Sequence, residues 1–236
     1  MSDSPEYSAP AIDKALDIIE LLADATAPMS QLEIATAVGR SPGQLFRPLM
    51  RLEKRGYLSR DKQSGFYQLS MRMFDLAHRQ EPLRSLLTVA SPVMRELAVD
   101  LQQSCNLGTL DDDRVRVVAQ VESPADFGWR VRVGASFGIA ETATGMVLAA
   151  FSEHRYDGVD DELAERIRTE GALVRPDSVQ PGITDVVVPI LRSQGRAAIA
   201  ALTVPYIATS YSPSGVDLVR QRAVDAAQEI QAALGV

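Results

Sequence analysis

The chain predicts an α+β protein with two domains. A winged helix–turn–helix domain spans residues 1–80, a helical linker 81–91, and a C-terminal α+β domain with an antiparallel sheet 92–236. Three observations lead there. Two capped helices are followed by a polar hairpin between residues 30 and 69, and charge changes sign along the chain. After residue 105, strand signals come in pairs around turns and are interleaved with helical stretches.

The elements follow in order. Residues 1–10 are acidic and polar with no hydrophobic core, so they do not read as a signal peptide. Ile12, Leu16, Ile19 and Leu22 form one apolar stripe over 11–24 and predict a helix that backs the next two. Ser30-Gln31-Leu32-Glu33 is a capping box, with Met29 and Ile34 placed for the hydrophobic staple. Gly39 supplies the left-handed residue that ends this short helix. Ser41-Pro42-Gly43-Gln44 opens a second one, with Ser at the N-cap and Pro at N1. Leu45, Leu49 and Leu52 point inward from it, while Gln44, Arg47, Arg51 and Lys54 form an outward stripe. A short helix, a tight turn and a basic amphipathic helix are what a DNA major groove accepts. Residues 57–60 and 66–69 read as wing strands around the loop 61–65, which puts Arg60 and Lys62 near phosphates.

Residues 72–79 read as a short helix, and Leu86, Ala90, Val93, Leu97 and Leu101 as one face of a long one. Pro92 either starts a new helix capped by Ser91 or kinks a continuous one. Further on, 107–110 with 115–121 and 186–191 with 197–204 read as hairpins, the second turning through Ser193-Gln194-Gly195-Arg196. Residues 129–133 alternate bulky and charged side chains and read as a strand. Residues 142–151, 160–169 and 215–234 read as helices.

Charge excludes a simple nucleic-acid coat, since the whole chain carries −7. Between residues 30 and 72, however, eight Lys or Arg face Glu33, Glu53 and Asp61, a local +5. Residues 73–236 carry −7. Screening limits surface charge to a reach of about 8–10 Å, so the local value governs attraction to DNA. Cys105 is alone, which excludes an intramolecular disulfide and suits a reducing cytoplasm. It reads as a small buried residue, with a redox sensor as the other reading. His78 and His154 stand apart from any Cys or His cluster, so neither a metal nor a cofactor is expected. No apolar run approaches the roughly 20 residues that span a bilayer.

Five stretches in order resemble the IclR family of bacterial transcriptional regulators. They are Ala11-Ile12-Asp13-Lys14-Ala15-Leu16-Asp17-Ile18, Leu52-Glu53-Lys54-Arg55-Gly56-Tyr57-Leu58 leading into the wing, Val121-Glu122-Ser123-Pro124, Arg132-Val133-Gly134 and Gln180-Pro181-Gly182-Ile183. The resemblance implies a C-terminal effector-binding domain with a small-molecule pocket, and dimers or dimers of dimers on palindromic operators. It also implies ligand contacts at Glu141, Thr142, Ala143, Thr144 and Gly145, in the segment after Pro181-Gly182, and on the strand ending at Thr203. Helix-start amides suit an anion, although Thr142 reads equally well as a plain N-cap. Trp129, Phe127 and Phe137 are candidates for apolar walls, with plain core packing as the reading favoured for each.

Three departures from the family pattern stand out. The recognition helix begins Pro42-Gly43-Gln44, with Pro48 inside it, where polar side chains are usual. The helix between Phe151 and Gly171 is short. Asp185 stands where a cysteine is common after Pro-Gly, and Arg175 where an acid is. Asp185 would either meet donors on the ligand or turn away to pair with Arg175. The expected activity is a ligand-responsive DNA-binding regulator that reads double-stranded operator DNA through Ser41, Gln44, Arg47, Arg51, Lys54, Arg60 and Lys62. It would sense a small polar metabolite at Trp129, residues 141–145, Asp185 and Thr203, as a homodimer or homotetramer with no membrane contact. An enzyme with a catalytic C-terminal domain is the alternative, and no nucleophile–base pair or phosphate loop supports it. A winged-helix adaptor that ignores DNA conflicts with the +5 segment.

Overall fold

The computed structural model describes residues 9–77, 79, 83–192, 197–208 and 215–235. The chain divides into two compact units, Met1–Glu81 and Pro82–Val236.

In the first unit, α1 (Pro10–Asp24), α2 (Gln31–Ala37) and α3 (Pro42–Lys54) enclose a core of Ile18, Leu22, Ile34, Leu45, Leu49 and Leu52. The α2 capping box forms in both directions, with Glu33 accepting the Ser30 amide at 2.7 Å and Ser30 Oγ accepting the Glu33 amide at 3.2 Å. Gly39 takes φ +65 and lets the chain turn into α3, which is continuous through Pro48. The wing pairs β1 (Leu58–Arg60) with β2 (Tyr67–Leu69), and a bridge from Met29 to Tyr67 ties it to the helices. α4 (Arg72–Ala77) follows, and His78 lies outside the described residues.

One stripe differs from the sequence expectation. α1 buries Ile18 and Leu22, with Ala15 and Ile19 beside them, while Ile12 and Leu16 stay 60% and 49% exposed. The partner helices meet α1 along a line rotated toward Ala15 and Ile18, so Ile12 and Leu16 fall on its flank.

The second unit is a six-stranded antiparallel sheet in the order β5-β4-β3-β8-β7-β6. Its strands are β3 (Cys105–Asp111), β4 (Arg114–Val121), β5 (Ser136–Gly138), β6 (Leu173–Pro176), β7 (Ile183–Leu191) and β8 (Ala198–Ile207). α5 (Leu83–Leu101) and α8 (Val216–Leu234) cover one face, packing on Leu107, Val186, Val188, Leu202 and Val204. α6 (Ala143–Ala150) and α7 (Asp161–Glu170) cover part of the other, packing on Val115, Val187 and Ala201. Alternate strand residues feed the two cores, as the period of two requires.

Pro92 sits inside a single α5 and starts no new helix; Ser91 Oγ donates back to the Leu87 carbonyl at 2.6 Å and caps nothing. Leu86, Ala90, Val93, Leu97 and Leu101 are all buried in this unit's own core. That stripe, Leu86 and Ala90 of the stretch 81–91 included, is therefore not free to pair with a second copy.

Residues 129–133 form no strand. The Gly134 amide donates to the Val117 carbonyl and the Val117 amide to the Ala135 carbonyl, so the ladder with β4 begins only after a turn. The alternation there reflects side chains facing a cavity or solvent, a pattern that a strand shares. β6 carried too short a signal, four residues ending in Pro176, to be read beforehand. The turn at 193–196 lies outside the described residues.

Candidate functional site

Two surfaces carry the polar chemistry, one in each unit. On α3, Leu45, Leu49 and Leu52 are buried and the opposite side presents Arg47, Arg51 and Lys54, all exposed. None of the three cations has an ion-pair partner among the described residues. An exposed, unpaired cationic row of this kind suits phosphate neutralisation or hydrogen bonds to base edges. Ser41 is the N-cap residue, and its amide donates to Gln44 Oε1 at 3.1 Å, so the Gln44 side chain is partly used in closing the helix start.

The wing loop is built on Asp61, whose carboxylate accepts the Gln63 amide, the Ser64 amide and the Ser64 hydroxyl. Those bonds, Ser64 first, hold the Asp61 carboxyl below the usual carboxylate range. Lys62 is exposed on the loop so formed. Arg60 folds back, with Nε donating to the Gly65 carbonyl at 3.1 Å and the guanidinium 5.1 Å from the Tyr67 ring centre. It shapes the wing as well as charging it.

In the second unit a cavity of about 620 Å³ opens on the sheet face shared with α6. Its floor is the sheet, through Asn106, Thr203, Pro205, Asp185 and Ile183. Its walls are Trp129–Arg132, Phe137, the α6 start at Thr142 and Thr144, and the 177–180 loop. Thr144 and Thr203 share a hydrogen bond of 2.8 Å across the floor. Among the site residues expected from the sequence, Trp129, Glu141, Thr142, Thr144, Asp185 and Thr203 line this cavity together. Ala143 and Gly145 are buried beside it and do not line it, and Phe127 is 70% exposed outside it.

Gly145 serves packing. Its amide donates to Thr142 Oγ1 at 3.0 Å, which caps α6, and a Cβ on it would lie 2.1 Å from the Ile139 carbonyl oxygen. Thr142 is thus a working N-cap at the edge of the cavity.

Asp185 is 8% exposed and faces the cavity from β7. Burial pushes its carboxyl up to about 6, and the Asp177 carboxylate adds to the rise by repulsion and by a shared hydrogen bond. Arg175 stands opposite on β6 and pulls the other way only weakly. Its guanidinium contacts Met146 Sδ at 2.8 Å and makes no ion pair with Asp185. The turned-away alternative for Asp185 is therefore not the arrangement found. Asp177 itself accepts the Val179 and Gln180 amides at 2.7 and 2.6 Å, which fixes its loop beneath the cavity rim.

Asp177, Asn106 and Gln180 were missed in the sequence. Asp177 follows Pro176 in an unremarkable loop, and Asn106 becomes a floor residue only because β3 lies beside β8, with Asn106 opposite Thr203. Cys105 is buried, and burial pushes its thiol up to about 12, which leaves it inert as a nucleophile at neutral pH. Among the described residues no group of His, Cys, Asp or Glu is placed to hold a metal, and no helix is long and apolar enough to cross a membrane.

Comparison with known proteins places both units. The IclR helix-turn-helix domain matches residues 11–62 and the bacterial transcriptional regulator IclR C-terminal domain matches residues 83–159. The chain is 27% identical over 203 residues to the glycerol operon regulatory protein of Streptomyces coelicolor, covering 86% of this chain and 78% of that one. It is 22% identical over 223 residues to the transcriptional regulator KdgR of Escherichia coli, covering 86% and 84%. Its fold is that of the Thermotoga maritima IclR (TM-score 0.73, 19% identity, 95% and 98% of the two chains). An IclR homolog from Microbacterium hydrocarbonoxydans complexed with 4-hydroxybenzoate gives the same score, 0.73, at 19% identity and 95% and 99% coverage. The chain is a regulator, not an enzyme: it belongs to the IclR family of bacterial transcriptional regulators, with a DNA-binding helix–turn–helix domain and a C-terminal effector-binding domain.

Proposed function

We propose that this regulator binds a palindromic operator with α3 in the major groove and the wing on the flanking phosphates, and that a small polar metabolite in the sheet cavity controls binding. The observation that carries the DNA half is the row Arg47, Arg51 and Lys54, exposed and without ion-pair partners among the described residues. Arg47 lies nearest the helix start and is the base reader, while Arg51, Lys54, Lys62 and Arg60 hold phosphates. Ser41 and Gln44 set the angle at which α3 enters. Arg47→Ala is expected to weaken the selected operator by about 1–3 kcal/mol and to relax its sequence preference. Lys62→Ala should instead weaken all duplexes alike and flatten the salt dependence. Fluorescence anisotropy on operator and scrambled DNA at several salt concentrations separates the two, and an Arg47→Ala protein with unaltered preference would remove α3 from the reading role.

The ligand half rests on the cavity chemistry. Carboxyls of Asp177 and Asp185 and the hydroxyls of Thr144 and Thr203 meet the ligand beside the aromatic rings of Trp129 and Phe137. A carboxylate aimed at this floor is repelled at neutral pH, so the ligand presents hydroxyl or amino donors there and its acceptor end to the α6 start. Regulation requires different ligand affinity in the DNA-binding and released states.

Two operator half-sites require two heads. Support for a homodimer or homotetramer comes from the first unit, where Ile12 and Leu16 on α1 and Met73, Phe74 and Leu76 on α4 are exposed. Light scattering near micromolar concentration should return a multiple of 25.6 kDa, and a monomer that still bound a full palindrome tightly would end this reading. The cytoplasm, where the operator is, is the proposed site of action.

A further inference from the structure

We propose that Phe46 and Met50 of α3 read thymine by packing on its major-groove methyl group, so that part of the sequence preference is apolar. Phe46 is 51% and Met50 49% exposed. Four residues apart, they are neighbours on the helix surface, and helical geometry sets them on the flank of the Arg47–Lys54 row, just after Gly43.

The start of the helix is poor in polar readers. Pro42 and Gly43 offer no side-chain donor, and the Gln44 carboxamide accepts the Ser41 amide. In a helix–turn–helix the N-terminal half of the second helix enters the groove first. Here that half presents Phe46, with Arg47 beside it and Met50 one turn on. Thymine alone among the bases carries a methyl group in the major groove, and apolar side chains contact it.

The surrounding charge identifies the occupant. Arg47, Arg51 and Lys54 border the pair and lack ion-pair partners among the described residues. A second copy of the chain seated on this face would have to desolvate those cations against an apolar patch, which is costly. A polyanion with apolar methyl groups between its phosphates satisfies both features at once.

The proposal rests on α3 as the groove helix, and the experiment distinguishes the failure of either. Full-length protein selects duplexes from a random pool, and each thymine of the selected half-site is then replaced by uracil, which removes only the methyl group. Burial of one methyl corresponds to about fourfold in affinity, so at one or two thymines per half-site the wild type should lose about fourfold. Phe46→Ala or Met50→Ala should lose nothing further at the same position, because the contact is already gone. Equal uracil penalties in wild type and both variants, no penalty at all, or a selected half-site without a preferred thymine would each overturn methyl reading. In those cases a lost preference in Arg47→Ala would still keep α3 in the groove, and an unchanged one would remove both readings. A Phe46→Ala protein whose mass halves in light scattering, with uniform loss on every duplex, would assign the patch to a contact between copies and also overturn it.

Discussion

Gly145→Ala will lower stability by more than about 3 kcal/mol, against the ordinary direction of a glycine-to-alanine change inside a helix. Helix propensity alone favours alanine by about 1 kcal/mol. At this position the new Cβ would lie 2.1 Å from the Ile139 carbonyl oxygen and 2.7 Å from that residue's Cα. Both are backbone atoms, so no side chain can rotate aside. Either α6 or the 3₁₀ turn Ile139–Glu141 must move, and both border the cavity through Glu141, Thr142 and Thr144. The clash outweighs the propensity gain, and the melting temperature should fall by roughly 6–12 °C in a domain of this size. Gly43→Ala is the matched control: no atom lies within 4 Å of its Cβ position in α3, so it should be neutral or slightly stabilising. Calorimetry of the two variants checks this, and an unshifted Gly145→Ala transition would contradict the close approach of the two turns.

Asp185 carries the second large effect. Its native carboxyl titrates at about 6, above the 3.8 of an unperturbed aspartate. The native state therefore holds the proton more tightly than the unfolded chain between those values. The contribution of Asp185 to stability declines as pH rises from about 4 to about 6 and stays at the lower level above that. Asp185→Asn keeps a donor toward Asp177 without the buried charge. It should stabilise the protein at pH 7.5 by an amount on the order of 2 kcal/mol, with the advantage gone near pH 4. Urea unfolding at three pH values tests the sign, and a pH-independent difference would remove Asp185 from this role. Asp185→Ala should also abolish the effector's influence on operator binding while ligand-free affinity stays intact. Operator titration with and without effector reads this, and a normal response would put the pocket elsewhere.

Much of the first unit is local chemistry and was legible in the sequence. The Ser30–Glu33 box, Gly39, the Leu45–Leu49–Leu52 stripe and the polar hairpin act within a few residues of one another, so spacing and residue type suffice. The same holds for the ends of α7, where Asp160 caps and Gly171 closes. Tertiary structure decided the rest. The face that α1 buries, the fate of residues 129–133, and the burial of the α5 stripe against its own sheet all depend on what lies across from them. So does the cavity floor. Asn106, Asp185 and Thr203 are distant in sequence and meet because β3, β8 and β7 are adjacent, and Asp177 reaches Asp185 because β6 pairs at the sheet edge. Alternation along a strand says which residues share a face, but strand order, set by long-range packing, says which faces combine. That is why the helix–turn–helix was visible in the residues themselves, whereas Asp185 and Thr203 were placed in the pocket only through the family resemblance and Asn106 and Asp177 were not read at all.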